Sequence, residues 1–385
     1  MMPKTGFVIC LIAILLPSLA VSQVGWEFTQ IADDTQFGDV GPCTICGTTA
    51  VDESGNAAFV VQQANGSSSL ALYENGVGVT TILDSDFSFE RILDFRGGNL
   101  LFEQRDSVGE RRLNIFQGGS TSPINSVGRN LGSASLSPDG TVSYGTSPFF
   151  GQFQSEIQEF ENSTHTQVVS DDTGIPGKSQ TFRYFHDVER GDGNTYFVGS
   201  DNNFRFGIYS SIDGNLTRIE DDITTGMPAV QFDDLAYDRE KLFYKRDSEE
   251  IRVFDGQNVD ILFNTETIIP DTDNTFVNFD NVSASNGILA FSGFDEFSTG
   301  STIGIYSDFG GELATVIEEG DLLDGRTIDT LRFGDNSFNN GYLVFAVEFN
   351  DGSEAIYLAR TVPEPSTAMF LASCLLLALK SRRRS

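Results

Sequence analysis

Four oxygen-bearing side chains recur at nearly equal distances in the second half of the sequence. They are Asp187, Asp234, Asn281 and Asp335, and the intervals between them are 47, 47 and 54 residues. Carboxylate and amide oxygens are the ligands of Ca²⁺, which takes about six to eight of them. If the fold brings the four to one height, the spacing predicts a cation site. The alternative is that Asp and Asn occur there because they suit turns and strand ends.

Two further groups could take part in chemistry. Cys43 and Cys46 form a Cys-Thr-Ile-Cys motif, for which a local disulfide is the expected state in an oxidising compartment. A redox pair would need a βαβ context, and a zinc site would need two more ligands near the motif. The two histidines, His165 and His186, lie far away in sequence. His186 precedes Asp187 and could act as a base, although no nucleophile motif accompanies it.

The charge of the chain excludes one class of partner. Asp and Glu number 55 against 24 Lys and Arg, which gives a net charge of -31. Nucleic-acid binding requires clustered basic residues, so we expect no such partner. The acidic excess is consistent with solubility outside the cell, and also with affinity for divalent cations or cationic surfaces.

A degenerate repeat must position these side chains. Each unit begins with a turn residue, usually Gly, and has an aromatic residue four positions later within an apolar strand. A second aromatic residue follows 10 to 16 positions further on, and a third strand-like run comes after it. The seven units start at Gly55–Phe59, Gly98–Phe102, Gly140–Tyr144, Gly193–Phe197, Glu240–Tyr244, Gly287–Phe291 and Gly341–Phe345.

With one more strand before each turn, a unit is a four-stranded meander of roughly 48 residues. Units of this kind resemble the blades of a β-propeller, whose repeats are about 40 to 50 residues long. The predicted fold is therefore all-β: a seven-bladed β-propeller over residues 23–360. An open array of repeats is the alternative, and it would need polar caps. In a propeller, the strand before each turn lines the central channel, where Asp187 and its three counterparts would lie.

Closure of the ring is predicted by a count of strands. The seventh unit ends after its second aromatic residue, Tyr357, and lacks an outer strand. The segment Phe28–Asp34 is spare and resembles the outer-strand segment Leu216–Asp222 of the fourth unit. We expect Phe28–Asp34 to pair as the outer strand of the last blade, because this removes two exposed sheet edges.

The N-terminus has the three parts of a secretory signal peptide. Lys4 precedes an apolar run from Phe7 to Leu16, and small residues follow up to Ala20 and Ser22. A run of this length is too short to span a bilayer comfortably. Residues 1–22 are therefore predicted to be a signal peptide, which implies export.

The C-terminal segment 361–385 has a Pro-Glu-Pro motif, a short apolar stretch over 367–379 and a basic cluster, in that order. This order resembles the PEP-CTERM tail of exported bacterial surface proteins, which an exosortase recognises. The resemblance implies sorting to the envelope and a transmembrane helix that anchors the chain until processing. Basic residues remain cytoplasmic, which fits that orientation. The motif is Val362, Pro363, Glu364 and Pro365, and the basic residues are Lys380, Arg382, Arg383 and Arg384.

Three functions stay open at this point. The first is a noncatalytic surface module that binds an extracellular polysaccharide, a protein or a cation. The second is a secreted propeller enzyme, a lyase or hydrolase acting on polysaccharide. The third is a structural envelope protein. Catalysis needs an acid/base pair with shifted pKa values in a pocket, and this histidine-poor chain offers mainly carboxylates for it. We therefore expect a noncatalytic protein.

Overall fold

The structure is a computed structural model that describes residues 24–36, 48–62, 68–85, 88–105, 111–124, 130–147, 155–221, 230–295, 302–309 and 311–363. Residues 26–361 form one compact unit. Residues 1–25 and 362–385 form another, of which only 24–25 and 362–363 are described. The described chain begins with strand β1 (Val24–Asp33) and a 3₁₀ turn (Asp34–Gln36).

Six four-stranded antiparallel sheets follow, each built from four consecutive strands, and we number them blades 1 to 6. Blade 1 contains β2 (Thr49–Val51), β3 (Ala57–Gln62), β4 (Ser68–Glu74) and β5 (Gly78–Ser85). Blade 2 contains β6 (Ser88–Arg96), β7 (Asn99–Arg105), β8 (Arg111–Gln117) and β9 (Ser120–Pro123). Blade 3 contains β10 (Asn130–Leu136), β11 (Val142–Ser147), β12 (Glu156–Glu161) and β13 (Thr164–Ser170).

The next three blades repeat the same meander. Blade 4 contains β14 (Tyr184–Gly191), β15 (Asn194–Ser200), β16 (Phe206–Ile212) and β17 (Asn215–Asp221). Blade 5 contains β18 (Phe232–Asp238), β19 (Lys241–Arg246), β20 (Glu250–Phe254) and β21 (Val259–Asn264). Blade 6 contains β22 (Asn278–Ser285), β23 (Ile288–Phe294), β24 (Ile303–Ser307) and β25 (Ala314–Glu318).

Blade 7 closes the ring. It contains β26 (Leu322–Leu323), β27 (Arg326–Arg332), β28 (Phe338–Asn339), β29 (Tyr342–Phe349) and β30 (Glu354–Pro363), with β1 next to β30. Ile31 and Ala32 of β1 are buried in one cluster with Ile356 and Leu358 of β30. The predicted closure by an N-terminal strand is therefore confirmed, and so is the seven-bladed propeller.

The type of residue at the turn of each repeat follows from its backbone conformation. All seven adopt a positive φ, from 68° at Glu240 to 91° at Gly140. This left-handed region costs a residue with a Cβ more than it costs glycine. The repeat therefore keeps Gly at six of the seven turns, and Glu240 is the exception that still adopts the conformation.

The repeated aromatic residue forms the core between blades. At all seven positions, from Phe59 to Phe345, it is at most 2% exposed. Seven hydrophobic clusters lie among the described residues, and each contains side chains from two neighbouring blades, including blades 7 and 1. Because the apolar faces of one blade are covered by its neighbours, closing the ring buries them all.

Side chains also join the inner strands of neighbouring blades. The carboxylate of Asp94 in blade 2 accepts a hydrogen bond from Leu136 N in blade 3 at 2.9 Å. Across the seam of the ring, the hydroxyls of Thr49 and Ser337 lie 2.7 Å apart. An inner strand is the central edge of its sheet, so the bond to Leu136 N satisfies a backbone group that no further strand pairs.

Candidate functional site

The inner strands surround a central cavity of about 610 Å³ that is lined by residues of all seven blades. The sequence predicts that one residue of each repeat, six positions before the turn, lines this channel. All seven of these positions line the cavity: Thr49, Ile92, Ala134, Asp187, Asp234, Asn281 and Asp335. The structure thus brings the four predicted oxygen-bearing side chains into one cavity.

Three of these residues lie at β-bulges. The pairing register shifts at Asp187 in β14, at Asp234 in β18 and at Asn281 in β22. Their φ angles are 54°, 54° and 39°. Asp and Asn are the residues that best tolerate this left-handed conformation after glycine. Their recurrence therefore has a backbone cause, and the bulge turns their side chains toward the channel, as the cavity lining shows.

Asp335 reaches the cavity by a different route. The inner strand of blade 7 is interrupted between β27 and β28, and Asp335 lies in this interruption. The next residue anchors the segment, because Val51 N of blade 1 donates to Asn336 O at 3.1 Å. Asp335 is exposed to the cavity, and no residue in the described ranges donates a hydrogen bond to its carboxylate. Enclosure by the channel walls and the charges of Asp234 and Asp187 raise its pKa well above the usual value.

A buried lysine shares the site with these carboxylates. Lys245 of β19 is 6% exposed, and its Nζ lies 2.6 Å from Asp234 Oδ2 and 3.4 Å from Asp280 Oδ1. Burial disfavours the charge of Lys245, but the two carboxylates outweigh burial and raise its pKa. Sequence reasoning missed this residue. The sequence nevertheless marks it, because a charged residue directly follows the repeat aromatic residue Tyr244. Blades 1, 4 and 7 have Val or Ala at the matching position.

Two more titratable groups come from blade 4. Asp187 Oδ2 accepts a hydrogen bond from Leu235 N of blade 5 at 2.9 Å, which ties the two blades together. Burial and the charge of Asp234 raise the pKa of Asp187 to about 7. His186 lies beside it, with Nδ1 3.8 Å from Asp233 Oδ1. Burial lowers the pKa of His186, and Asp233 opposes that shift.

The channel therefore has two unlike halves. The carboxylates that line it all belong to blades 4, 5 and 7, which we call the acidic half. Blades 1 to 3, the neutral half, contribute Thr49, Ile92, Ala134 and small residues around them. Their one lining charge, Arg91, is paired with the buried Glu103 at 2.9 Å. The acidic half can hold cationic groups, and its partly protonated carboxyls can donate hydrogen bonds to hydroxyl oxygens.

The structure shows no assembled metal centre in the part of the chain it describes. No group of three or more His, Cys, Asp or Glu residues is placed to hold a metal ion there. Lys245 supplies a positive charge to two of the carboxylates from within the chain. Calcium binding by Asp187, Asp234, Asn281 and Asp335 stays a prediction.

Most residues of the two chain ends lie outside the described ranges. These include Cys43 and Cys46, the signal segment 1–22, Glu364, Pro365, the apolar stretch 367–379 and the basic residues from Lys380 to Arg384. Val362 and Pro363 form the end of β30. No helix among the described residues is long and apolar enough to span a bilayer.

Comparison with known proteins identifies the fold. A model for a family of unknown function, DUF7453, matches residues 253–369. No curated protein matches the sequence. The β-propeller domain of the Trilobed protease from Pyrococcus furiosus superposes with a TM-score of 0.52 at 11% identity, over 81% of this chain and 94% of that one. That domain has an open velcro topology, whereas β1 pairs with β30 here.

Two enzymes have the same fold. An oligogalacturonate lyase in complex with manganese superposes with a TM-score of 0.50 at 10% identity, over 88% of this chain and 98% of that one. A prolyl endopeptidase gives 0.51 at 12% identity over 83% of this chain, which spans about half (51%) of that enzyme's length. Likeness at these identities shows a shared propeller fold and no shared activity.

Proposed function

We propose that the protein is exported to the cell envelope and that its propeller binds, without chemical change, a polysaccharide carrying hydroxyl and amino groups. The observation on which this rests is the asymmetric central cavity. Its volume of about 610 Å³ is in the usual range for ligand sites, and its carboxylates all lie in the acidic half. A concave site with a few convergent polar groups is the typical form of a binding pocket.

The protonation states of the acidic half suit such a ligand. Asp187, with a pKa of about 7, is partly protonated at neutral pH, and the pKa of Asp335 is also raised. A protonated carboxyl donates to a sugar hydroxyl, and an ionised one attracts an ammonium group. A ligand rich in carboxylates would meet repulsion from the same residues, because like charges in an enclosed site interact strongly.

Calorimetric titration of the purified protein with three hexasaccharides tests the proposal. The probes are a chitosan hexamer, which is cationic, cellohexaose, which is neutral, and hexagalacturonate, which is acidic. We expect the first two to bind and the third not to bind. Asp335→Asn should weaken binding of the chitosan hexamer about tenfold, because the ammonium groups of this ligand favour the ionised form of Asp335 and one such charged contact is then lost. Asp260→Asn, on the exposed outer strand β21, is the matched control and should change nothing.

A secreted enzyme acting on polysaccharide, a lyase or a hydrolase, is the second candidate. One observation favours it: a carboxyl with a pKa of about 7 is suited to general acid/base catalysis near neutral pH. The test is to incubate each hexasaccharide with the protein and follow chain length by mass spectrometry. Shortened products that disappear with Asp187→Asn would establish the enzyme and contradict the noncatalytic proposal.

Sorting by an exosortase-type enzyme is the remaining part of the proposal. It is supported by the order of the Pro-Glu-Pro motif, the apolar stretch and the basic cluster in segment 361–385. The apolar stretch would hold the chain in the membrane until cleavage. Mass spectrometry of the envelope fraction should find mature chains that end near Pro365. Mature chains that retain Arg382–Arg384 would instead indicate a permanent anchor.

A further inference from the structure

A second, smaller cavity adjoins the central channel between blades 6 and 7. Its volume is about 160 Å³, and Asn281 and Phe333 line both this cavity and the channel. The inner strand of blade 7 ends at Arg332 and resumes only at Phe338. Because Leu331, Arg332 and Phe333 line the cavity, it lies next to this interruption. We call it the side pocket.

The walls of the side pocket are mainly apolar. Blade 6 contributes Phe294 at the end of β23 and Ile303 at the start of β24, and blade 7 contributes Leu331 and Phe333. Leu331 and Phe333 are buried, and Phe294 and Ile303 are half-buried. An apolar cavity of about 150 Å³ holds one benzene molecule, so the side pocket has room for a small substituent of a larger ligand.

The carboxylate of Glu319 holds the two walls in place. It accepts a hydrogen bond from Ile303 N of blade 6 at 3.2 Å and another from Leu331 N of blade 7 at 3.1 Å. The side pocket is therefore preformed. A ligand group that enters it does not have to order the walls, which reduces the cost of binding.

Asp280 supplies a polar group to the side pocket, and its side chain is 49% exposed. Its Oδ1 lies 3.4 Å from Lys245 Nζ, and its Oδ2 accepts a hydrogen bond from Asn281 Nδ2 at 3.2 Å. An ionised carboxylate has about four lone-pair sites, so Asp280 can also accept a hydrogen bond from a ligand. Arg332 lines the pocket too, but its Nη2 pairs with Glu348 Oε2 at 3.7 Å, and we assign it no ligand contact.

These features favour one kind of sugar substituent. An acetamido group is smaller than benzene, and its methyl group suits the apolar walls while its N–H can donate to Asp280. An ammonium group would lose its hydration against the apolar walls. An O-acetyl group has no N–H to donate.

We propose that the side pocket binds the acetamido group of one N-acetylated amino sugar of the polysaccharide, whose pyranose ring lies in the channel beside Asn281. This inference rests on the proposed function, and it adds the substituent by which the ligand is recognised.

Calorimetric titration of the purified protein with N-acetylchitohexaose and with cellohexaose tests the side pocket. Both probes are neutral, and they differ in having an acetamido group or a hydroxyl group on each sugar. We expect N-acetylchitohexaose to bind roughly tenfold more tightly, since a methyl group is buried and a hydrogen bond is gained.

Two variants locate this preference, and the ratio of the two affinities is the readout. Ile303→Phe fills the side pocket and Asp280→Ala removes the acceptor, so each should make the two affinities equal. A change in the charge of the site acts alike on two neutral probes. Ile261→Phe is the matched control, because Ile261 is 50% exposed on the outer strand β21, and it should keep the preference.

The outcomes separate the two proposals. Equal affinity of the wild type for the two neutral probes would refute the side pocket, while weaker binding of the chitosan hexamer by Asp335→Asn would still support binding in the channel. A preference that survives Ile303→Phe or Asp280→Ala would also refute the side pocket. If the wild type binds none of the oligosaccharides, the proposed function itself is wrong, and the side pocket with it.

Discussion

The two halves of the channel share one backbone plan and differ in chemistry. In the acidic half, Asp187 and Asp234 occupy left-handed bulges, whereas the matching positions of blades 1 to 3 are Thr49, Ile92 and Ala134. Both halves keep the same buried aromatic residue in the second strand, at most 2% exposed. The ring is therefore maintained by the repeat core, and the channel positions can vary in charge without altering the fold.

Two groups of residues can be distinguished: those that stabilise the ring and those that give the channel its charge. Asp187 belongs to both groups, since it accepts a backbone hydrogen bond from blade 5 and also faces the cavity. Asp335 belongs to the second group, because it projects from an interruption of the last inner strand. Substitutions that act on one group alone are the most informative.

The largest effect is expected from the core. Phe291 is fully buried between blades 5 and 6, with ring centroids of Phe276 and Tyr306 each 5.7 Å away. Phe291→Ala should lower the free energy of unfolding by about 3–5 kcal/mol because it leaves a large cavity. Asp335→Asn should not lower it, because the raised pKa of this enclosed carboxyl means that its charge is unfavourable in the folded state. Urea titration measures the free energy of unfolding of both variants. Equal losses would contradict the division into residues that stabilise the ring and residues that only line the channel.

Removing the buried cation should have the next largest effect. Lys245→Met leaves Asp234 and Asp280 without their shared partner and should destabilise the protein by about 3 kcal/mol at pH 7. Adding Asp234→Asn should recover most of that loss, because the excess negative charge is gone.

The matched variant in the neutral half is Arg91→Met, which should cost less because Glu103 keeps a second partner, Arg111, at 3.1 Å. Denaturation of the three variants in low salt makes the comparison. A larger loss for Arg91→Met than for Lys245→Met would contradict the assignment of Lys245 as the central charge of the acidic half.

Stability should fall as pH rises through the neutral range, because of Asp187. Its pKa is about 7 in the folded state and about 3.9 when unfolded, so the folded state binds more protons between these values. The free energy of unfolding then decreases from about pH 4 to pH 7 and levels off above it. Asp187→Asn keeps an acceptor for Leu235 N and removes this contribution. The difference between variant and wild type should grow with pH; a difference independent of pH would contradict the raised pKa.

The smallest effect concerns the repeat itself. Glu240→Gly should stabilise the protein by about 1 kcal/mol, since φ is 68° at this turn. Gly287→Ala, at the same turn of blade 6 with φ of 75° and open space around it, should cost a similar amount. Thermal unfolding of the two variants measures whether each substitution raises or lowers the stability. A destabilised Glu240→Gly would mean that the glutamate side chain is needed at the turn.

The repeat made much of the fold predictable from the sequence. Turn residues such as Gly98 and aromatic residues such as Phe102 are set by backbone conformation and burial, and both leave a periodic signal. The same register located the seven channel positions. The bulges of blades 4 to 6 leave only the recurrence of Asp or Asn, which a cation site would explain equally well. The left-handed conformation of Asp187 therefore could not be predicted.

Contacts between blades could not be predicted from the sequence either. Lys245 meets Asp280 across 35 residues, and the pairing depends on how two blades pack rather than on any local pattern. In blade 4, His186 of β14 likewise meets Phe206 of β16 across β15, with ring centroids 5.1 Å apart. A charged residue in the buried second strand, as at Lys245, is a sequence feature that marks such a contact in advance.

Whether the acidic half of the channel binds the ligand can be seen in a crystal structure of the protein with the chitosan hexamer. We expect sugar density in the channel, with ammonium or hydroxyl groups within hydrogen-bond distance of Asp335 and Asp233. Density confined to the outer strands, or held only by Thr49, Ile92 and Ala134, would contradict this expectation.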